Sequence, residues 1–289
     1  MAATPTTTAP LAALTDALEL IDSSTLLVVN HSGGKDSQAL MAAAVALVEA
    51  GIVEARQVVV VHAPLAGVEH PGTLEHIEAT IGDYPLELAH ARKADGSPRT
   101  LYGTVRERGA FPAPNGARWC TSFLKRDPIN REIKRIAKAG GFDKVLSMEG
   151  IRAQESDARA NKAALEVCGR NTTKQRPDGS FLRQQWIWRP LLDWQIEDVF
   201  AEIAAVGQEP HPAYAMGWSR LSCMFCIMAK RSDLELSARH YPEAFAEVVA
   251  LELEVGHTIA TRKAKGKLVK VGLEEHTGIR VAALSARAA

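Results

Sequence analysis

Thr25-Leu26-Leu27-Val28-Val29-Asn30-His31-Ser32-Gly33-Gly34-Lys35-Asp36-Ser37 is the stretch that decides the fold. Its first six residues form a short β-branched run bounded by polar positions, which predicts a buried strand. A Gly-Gly turn follows, and Ser37 to Glu49 predicts a helix. Further along, Gln57 to Val61 is a second apolar run with no polar break on either face. Such strands belong to parallel sheets covered on both sides. The alternation continues with a helix over Thr73 to Ile81 and a weak strand over Leu86 to Ala89. Next come a helix over Asp127 to Ala139 with Pro128 near its start and a strand over Asp143 to Met148. A helix over Ala153 to Val167, a strand over Trp186 to Leu191 and a helix over Ile196 to Val206 complete the series. Repeated strand-then-helix units imply an α/β protein with a doubly wound, mostly parallel sheet.

Two stretches interrupt this order. Residues 168–182 are polar and turn-rich, and predict a flexible loop. Residues 207–231 carry Pro and Gly turn signals and two cysteines, and predict an irregular segment. The tail from 232 is expected to be helical to about Glu254. A basic cluster follows at Arg262, Lys263, Lys265, Lys267 and Lys270. Residues 1–10 are Pro/Thr-rich and expected to be mobile. The chain therefore divides into an N-terminal tail and helix (1–24), a nucleotide-binding α/β part (25–206), and a cysteine-bearing, helical and basic part (207–289).

Composition narrows the function classes. The 289 residues hold 34 Lys+Arg against 34 Asp+Glu, and 46% are hydrophobic. A disordered chain needs low hydrophobicity and high net charge. A globally basic nucleic-acid wrapper is excluded too, so any basic surface is local. The longest apolar run, Ala39 to Val48, is too short to span a bilayer. No Lys or Arg precedes Lys35, so the start lacks the basic region of a signal peptide, and a cytoplasmic protein is expected. Four cysteines in such a chain suggest metal or redox chemistry rather than a disulfide framework.

The turn Ser32 to Ser37 is built for phosphate. Glycines let the backbone approach a ligand closely, the next helix points its positive end there, and Lys35 adds a cation. Asp36 fits if it holds Mg²⁺ or fixes the loop by hydrogen bonds. The loop is not a Walker A sequence, because Val29 and Asp36 stand where that motif has Gly and Ser or Thr. Taken alone, it also matches a Gly-Gly turn with a capped helix.

SGGKDS between a strand and a helix resembles the PP-loop ATP pyrophosphatase superfamily. That resemblance implies an adenine nucleotide alpha hydrolase-like fold and cleavage of ATP between its α- and β-phosphates, with Mg²⁺. It implies that Ser32, Gly33, Gly34, Lys35, Asp36 and Ser37 hold the pyrophosphate end, and that Val61 to Ala63, with His62, lie near the adenine. Gly150-Ile151-Arg152 resembles a second segment of the phosphoadenosine-phosphosulfate reductase-like branch, so Gly150 and Arg152 join the nucleotide site. Lys35, Asp36 and Arg152 are then the expected catalytic residues.

Arg118-Trp119-Cys120 and Cys223-Met224-Phe225-Cys226 resemble the iron–sulfur ligand blocks of sulfonucleotide reductases, with Trp119 in place of one cysteine. The resemblance implies a [4Fe–4S] cluster held by Cys120, Cys223 and Cys226, leaving one iron open. A structural zinc site that adds Cys168, His211 or His240 is the alternative. A sulfonucleotide reductase needs a C-terminal cysteine nucleophile, and none of the 63 residues after Cys226 is a cysteine, so reductase chemistry is not expected. The blocks at 118–128 and 211–226 resemble the ATP pyrophosphatases of DNA phosphorothioation (DndC/SspD type). The implied function is adenylation of a DNA backbone phosphate for sulfur insertion, with sulfur from a cysteine desulfurase or other donor and with other DNA-modification proteins as partners. A tRNA-thiolating enzyme, a sulfonucleotide reductase-like protein and a zinc-bearing nucleotide-binding protein without turnover are the rivals. Candidate phosphate contacts are Arg118, Lys125, Arg126, Arg220, Lys230, Arg231 and the 262–270 cluster. Candidate stacking residues are Trp186, Trp188, Trp194 and Trp218.

Overall fold

A computed structural model describes residues 12–114, 116, 118–264 and 267–283. The expected mobile tail (1–10) and Lys265 lie outside the described residues. In chain order the elements open with α1 (Ala12–Leu18), β1 (Thr25–Asn30), α2 (Lys35–Glu49), β2 (Val58–His62), α3 (Thr73–Thr80) and β3 (Leu86–Leu88). They continue with α4 (Leu101–Arg108), α5 (Asp127–Gly140), β4 (Lys144–Met148), α6 (Asp157–Ala160), β5 (Leu165–Val167), β6 (Gln184–Trp188) and α7 (Ile196–Ala205). The last are α8 (Arg231–His240), α9 (Pro242–Val255), β7 (Ala260–Ala264), β8 (Lys267–Val271) and α10 (Leu273–Thr277).

The chain forms two compact units. One comprises residues 1–62, 72–89 and 129–211, and the other 63–71, 90–128 and 212–289. The first unit is an α/β body on a six-stranded sheet of order β3-β2-β1-β4-β6-β5. All neighbours are parallel except β5, which runs antiparallel to β6 at the edge. β1 and β2 are buried nearly throughout because both sheet faces are covered. Leu27, Val29, Val60, Leu146 and Trp188 pack with Leu40, Met41, Ala44, Val199 and Ile203 of the helices in one core.

Chain order explains where a site forms. From β1 the chain moves outward through β2 to β3, then returns to place β4 on the other side of β1. Strand order thus reverses between β1 and β4. Connections leaving the carboxyl ends of these two strands part there and open a crevice, the usual ligand position in open α/β sheets.

One expectation is corrected. Ala153 to Val167 is not a helix: it is a 3₁₀ turn (Ala153–Glu155), the one-turn α6, and the strand β5. Two competing demands break the helix. The Arg152 backbone N–H is capped by Glu155 while its side chain is drawn to Asp36. Leu165 to Val167 gain a ladder with Trp188 to Trp186. β6 also starts earlier than its apolar residues suggest, since Gln184 and Gln185 pair with β4. Residues 168–182 form no long element, yet they are tied down. Cys168 N–H donates to Gln185 O, and Gln175 bridges to Phe181.

The second unit has its own core, in which Val105, Trp119, Leu124, Phe225, Phe245, Val248 and Leu273 are buried. α4 packs on α9, and α8 packs on α9 and α10. Residues 121–126 form a π-helical turn directly before α5. Of the expected basic cluster, Arg262 and Lys263 fall on β7 and Lys267 and Lys270 on β8, which pair antiparallel. Among the described residues no helix is long and apolar enough to cross a membrane.

Candidate nucleotide site

The first unit builds its site from the ends of β1 and β4. Asn30, the last residue of β1, donates from its side chain to Ser147 Oγ at 2.9 Å and to Met148 O at 2.7 Å. This stitches the two strand ends together at the point where strand order reverses. The chain then turns. Gly33 has φ of 78°, a left-handed conformation that favours glycine. Gly34 is extended and caps α2 with no side-chain help. Ser32 N–H donates to Ser37 Oγ at 3.1 Å, and the Ser37 hydroxyl donates to Gly34 O at 2.8 Å. The serines therefore shape the loop while the start of α2 supplies positive potential.

Three charged residues meet here. Lys35 Nζ lies 3.0 Å from Asp36 Oδ2, and Arg152 Nε lies 2.5 Å from Asp36 Oδ1. Lys35 and Arg152 are buried at 4% and 3% exposure. Of the two roles expected for Asp36, its carboxylate oxygens are engaged in fixing the loop. Two cations against one carboxylate leave a net positive charge in a water-poor crevice, where Coulomb energies are large. That is an anion site in chemical terms. The Arg152 guanidinium also donates to Gln154 Oε1, and Gln154 Oε1 accepts from Ile196 N–H at 3.1 Å. Glu155, which caps Arg152 N–H, is held in turn by Arg159.

Gly150 has a steric reason. A Cβ there would lie 2.7 Å from Asp36 O and 2.9 Å from Asp36 C. Backbone rests directly on backbone, so the loop after β4 supports the loop after β1.

His62 ends β2 with Nδ1 hydrogen-bonded at 2.9 Å to His31 O. His31 had no expected role, although it directly precedes the serine-glycine turn. Its Nδ1 accepts from Gly33 N–H at 3.1 Å and so pins the left-handed residue. Burial, with His62 and His76 nearby, lowers its pKa to about 3. A neutral ring is required, because only an unprotonated Nδ1 can accept. The signal available in the sequence was a histidine abutting the turn, but nothing there distinguishes it from a packed core residue.

The structure thus brings Ser32, Gly33, Gly34, Lys35, Asp36, Ser37, Gly150 and Arg152 into one site, with His62 on the strand beside it.

The cysteines divide differently. Cys168 lies in the first unit, while Cys120, Cys223 and Cys226 lie in the second. Burial raises the Cys120 thiol and pushes that of Cys223 up to about 12. Cys226 is close enough to raise both further, and Lys125 opposes the rise. Three sulfurs thus share one neighbourhood beside a cation. Among the described residues no three His, Cys, Asp or Glu are gathered tightly enough to hold a single metal ion. Trp119 is buried in the core of its unit. Of the tryptophans considered for stacking, Trp188, Trp194 and Trp218 are buried. The Trp218 indole N–H donates to Ser237 Oγ at 3.1 Å.

The chain is 36% identical over 145 residues to an uncharacterised 37.8 kDa protein of Escherichia phage 186, covering 50% of this chain and 40% of that one. It is 24% identical over 228 residues to an uncharacterised protein of Methanocaldococcus jannaschii, covering 79% of this chain and 48% of that one. The chain thus spans less than half the length of either relative. A solved phosphoadenylyl-sulfate reductase from Candida auris aligns with a TM-score of 0.42 and 15% identity, covering 75% of this chain and 89% of that one. Residues 26–229 match the phosphoadenosine phosphosulfate reductase domain, a nucleotide-using PP-loop fold, and the chain belongs to that family.

Proposed function

We propose that this protein is an ATP pyrophosphatase that adenylates a nucleic-acid acceptor for sulfur insertion, the acceptor being a DNA backbone phosphate. The observation that carries the reading is the buried Lys35–Asp36–Arg152 cluster at the reversal of strand order. Its surplus positive charge suits a polyphosphate. Mg²⁺ would enter with the nucleotide, using phosphate oxygens as ligands.

The chemistry at phosphorus balances without a redox change. An acceptor phosphate oxygen attacks the α-phosphorus, the bond to the β-phosphate oxygen breaks, and pyrophosphate leaves with the electron pair. Sulfur at the sulfide level then attacks the activated acceptor phosphorus, and AMP leaves. Lys35 and Arg152 draw off charge from the departing pyrophosphate, and Asp36 holds both cations in place. The resemblance in the cysteine blocks supports a [4Fe–4S] cluster on Cys120, Cys223 and Cys226, which when bound would offer an open iron to sulfur. A cysteine desulfurase or an equivalent partner would hand over its sulfur as a persulfide, so a thiol reductant supplies the two electrons that bring this sulfur to the sulfide level before it attacks.

The test is pyrophosphate release from ATP with DNA and sulfide under anaerobic conditions, followed by nucleoside mass spectrometry. A phosphorothioate dinucleotide whose formation needs Lys35 and Arg152 is expected. A thiolated tRNA base with unchanged DNA would replace the acceptor, sulfite release from a sulfonucleotide would replace the reaction, and no pyrophosphate release from ATP would end the reading.

A further inference from the structure

The second unit carries an exposed aromatic that the sequence reading passed over. Phe123 stands three residues after Cys120 in the π-helical turn and is 39% exposed. The Arg99 guanidinium carbon lies 5.6 Å from its ring centroid and that of Arg108 lies 5.8 Å away. Arg108 is also 5.6 Å from the buried Trp119 ring, which holds it in place. An isolated exposed phenylalanine means little. One with two guanidinium groups over it is a different object, because both aromatic rings and guanidinium planes take nucleobases by stacking.

The surroundings fit the same partner. Arg99 also borders a cavity of about 180 Å³ together with His90, Arg92 and Thr100, all able to donate to a phosphate. Arg118 and Lys125 lie on the same stretch of chain, and in the described residues neither forms an ion pair with a carboxylate. π-helical turns are rare and recur at functional positions. An acidic peptide would answer the charge but not stack, whereas an unpaired nucleotide answers the charge with its phosphate and stacks its base on the guanidinium–phenyl group.

We propose that Phe123, flanked by Arg99 and Arg108, is a stacking platform for an unpaired base of single-stranded nucleic acid, resting on the reading that the acceptor is a nucleic acid. It places the bound nucleotide on the turn that directly follows Cys120. Duplex DNA, whose bases are already stacked, is a poorer ligand until a nucleotide is unpaired.

The experiment is fluorescence anisotropy of the full chain with labelled oligothymidylate, oligouridylate and a duplex of equal length. Both single strands are expected to bind more tightly than the duplex, and the better of the two identifies DNA or RNA. Phe123→Ala is expected to weaken single-strand binding about tenfold, the scale of one lost stacked base. Phe123→Tyr should restore it. Arg92→Gln, at the cavity that Arg99 also borders, should reduce the salt slope by about 0.7, the value of one phosphate contact on a single strand, while Phe123→Ala leaves the slope unchanged. Thermal melting at the wild-type midpoint confirms that each variant is folded.

Equal binding by Phe123→Ala and wild type, duplex binding as tight as single-strand binding, or equal displacement by polyglutamate would each overturn the platform. Pyrophosphate release without single-strand binding would sink the platform and leave the proposed function standing. Phe123-dependent binding without pyrophosphate release would do the reverse.

Discussion

Substituting Gly150 by alanine adds one methyl group at the junction of the two loops. The new Cβ would sit 2.7 Å from Asp36 O, 2.9 Å from Asp36 C and 3.1 Å from Ser37 N. Ordinary contact begins at 3.4 Å, so backbone must retreat by about 0.7 Å, the difference between that distance and the closest approach. No flexible side chain is present to absorb the shift. Gly150 has no left-handed backbone angle, so the whole effect comes from contact rather than strain. Overpacking of this kind costs about 1–3 kcal/mol. Displacement of catalytic groups by about 1 Å costs on the order of a hundredfold in rate. We therefore expect Gly150→Ala to lower the melting temperature by several degrees and weaken ATP binding at least tenfold, read by calorimetric titration and circular dichroism. Gly141→Ala is the control. Gly141 has φ of +70° with nothing within 4 Å of an added Cβ. It should lose about 1–2 kcal/mol from the left-handed backbone while binding ATP normally. Wild-type affinity and wild-type melting in Gly150→Ala would refute the proposed support of one loop by the other.

Two further outcomes follow from the same site. Asp36→Asn leaves the buried cations Lys35 and Arg152 without their shared carboxylate, and about 3–5 kcal/mol of stability should be lost in denaturant unfolding. Adding Arg152→Met should return part of that loss by removing one stranded charge, and a strictly additive double variant would contradict the coupling. The second concerns pH. His31 is neutral when folded, with a pKa of about 3 against an ordinary 6.5. The unfolded chain therefore binds the extra proton between these values. Stability should fall as pH drops below 6.5, by about 1.4 kcal/mol per pH unit for this residue, and His76, lowered to about 4, adds in the same direction. His31→Asn should flatten that acid limb in urea midpoints measured from pH 7 to 5. An unchanged slope would show that the histidine is not the source.

Some of this protein is written locally. The β1 run and the turn at Ser32 to Ser37 need only neighbours in sequence, because strand periodicity, a left-handed glycine and a helix start are short-range properties. The alternation of strands and helices that follows makes a parallel sheet the economical arrangement, and the sheet has that form. Resemblance in Gly150-Ile151-Arg152 pointed to the second loop without saying what it touches.

Long-range facts were decided by packing. The sequence did not show which side chains Asp36 would meet; Arg152, 116 positions away, is one of them. Gly150 is required by the backbone of a distant loop. The helix expected over 153–167 gave way because Arg152 and β6 each offered partners that local propensity cannot foresee. Burial of Trp188, Trp194 and Trp218 and exposure of Phe123 likewise depend on which side of each element meets a core. The sequence alone determined which strands and turns can exist, since those energies act over a few residues. The tertiary structure decided which charges, glycines and rings meet, since those energies act only after distant segments have been brought within a few ångströms.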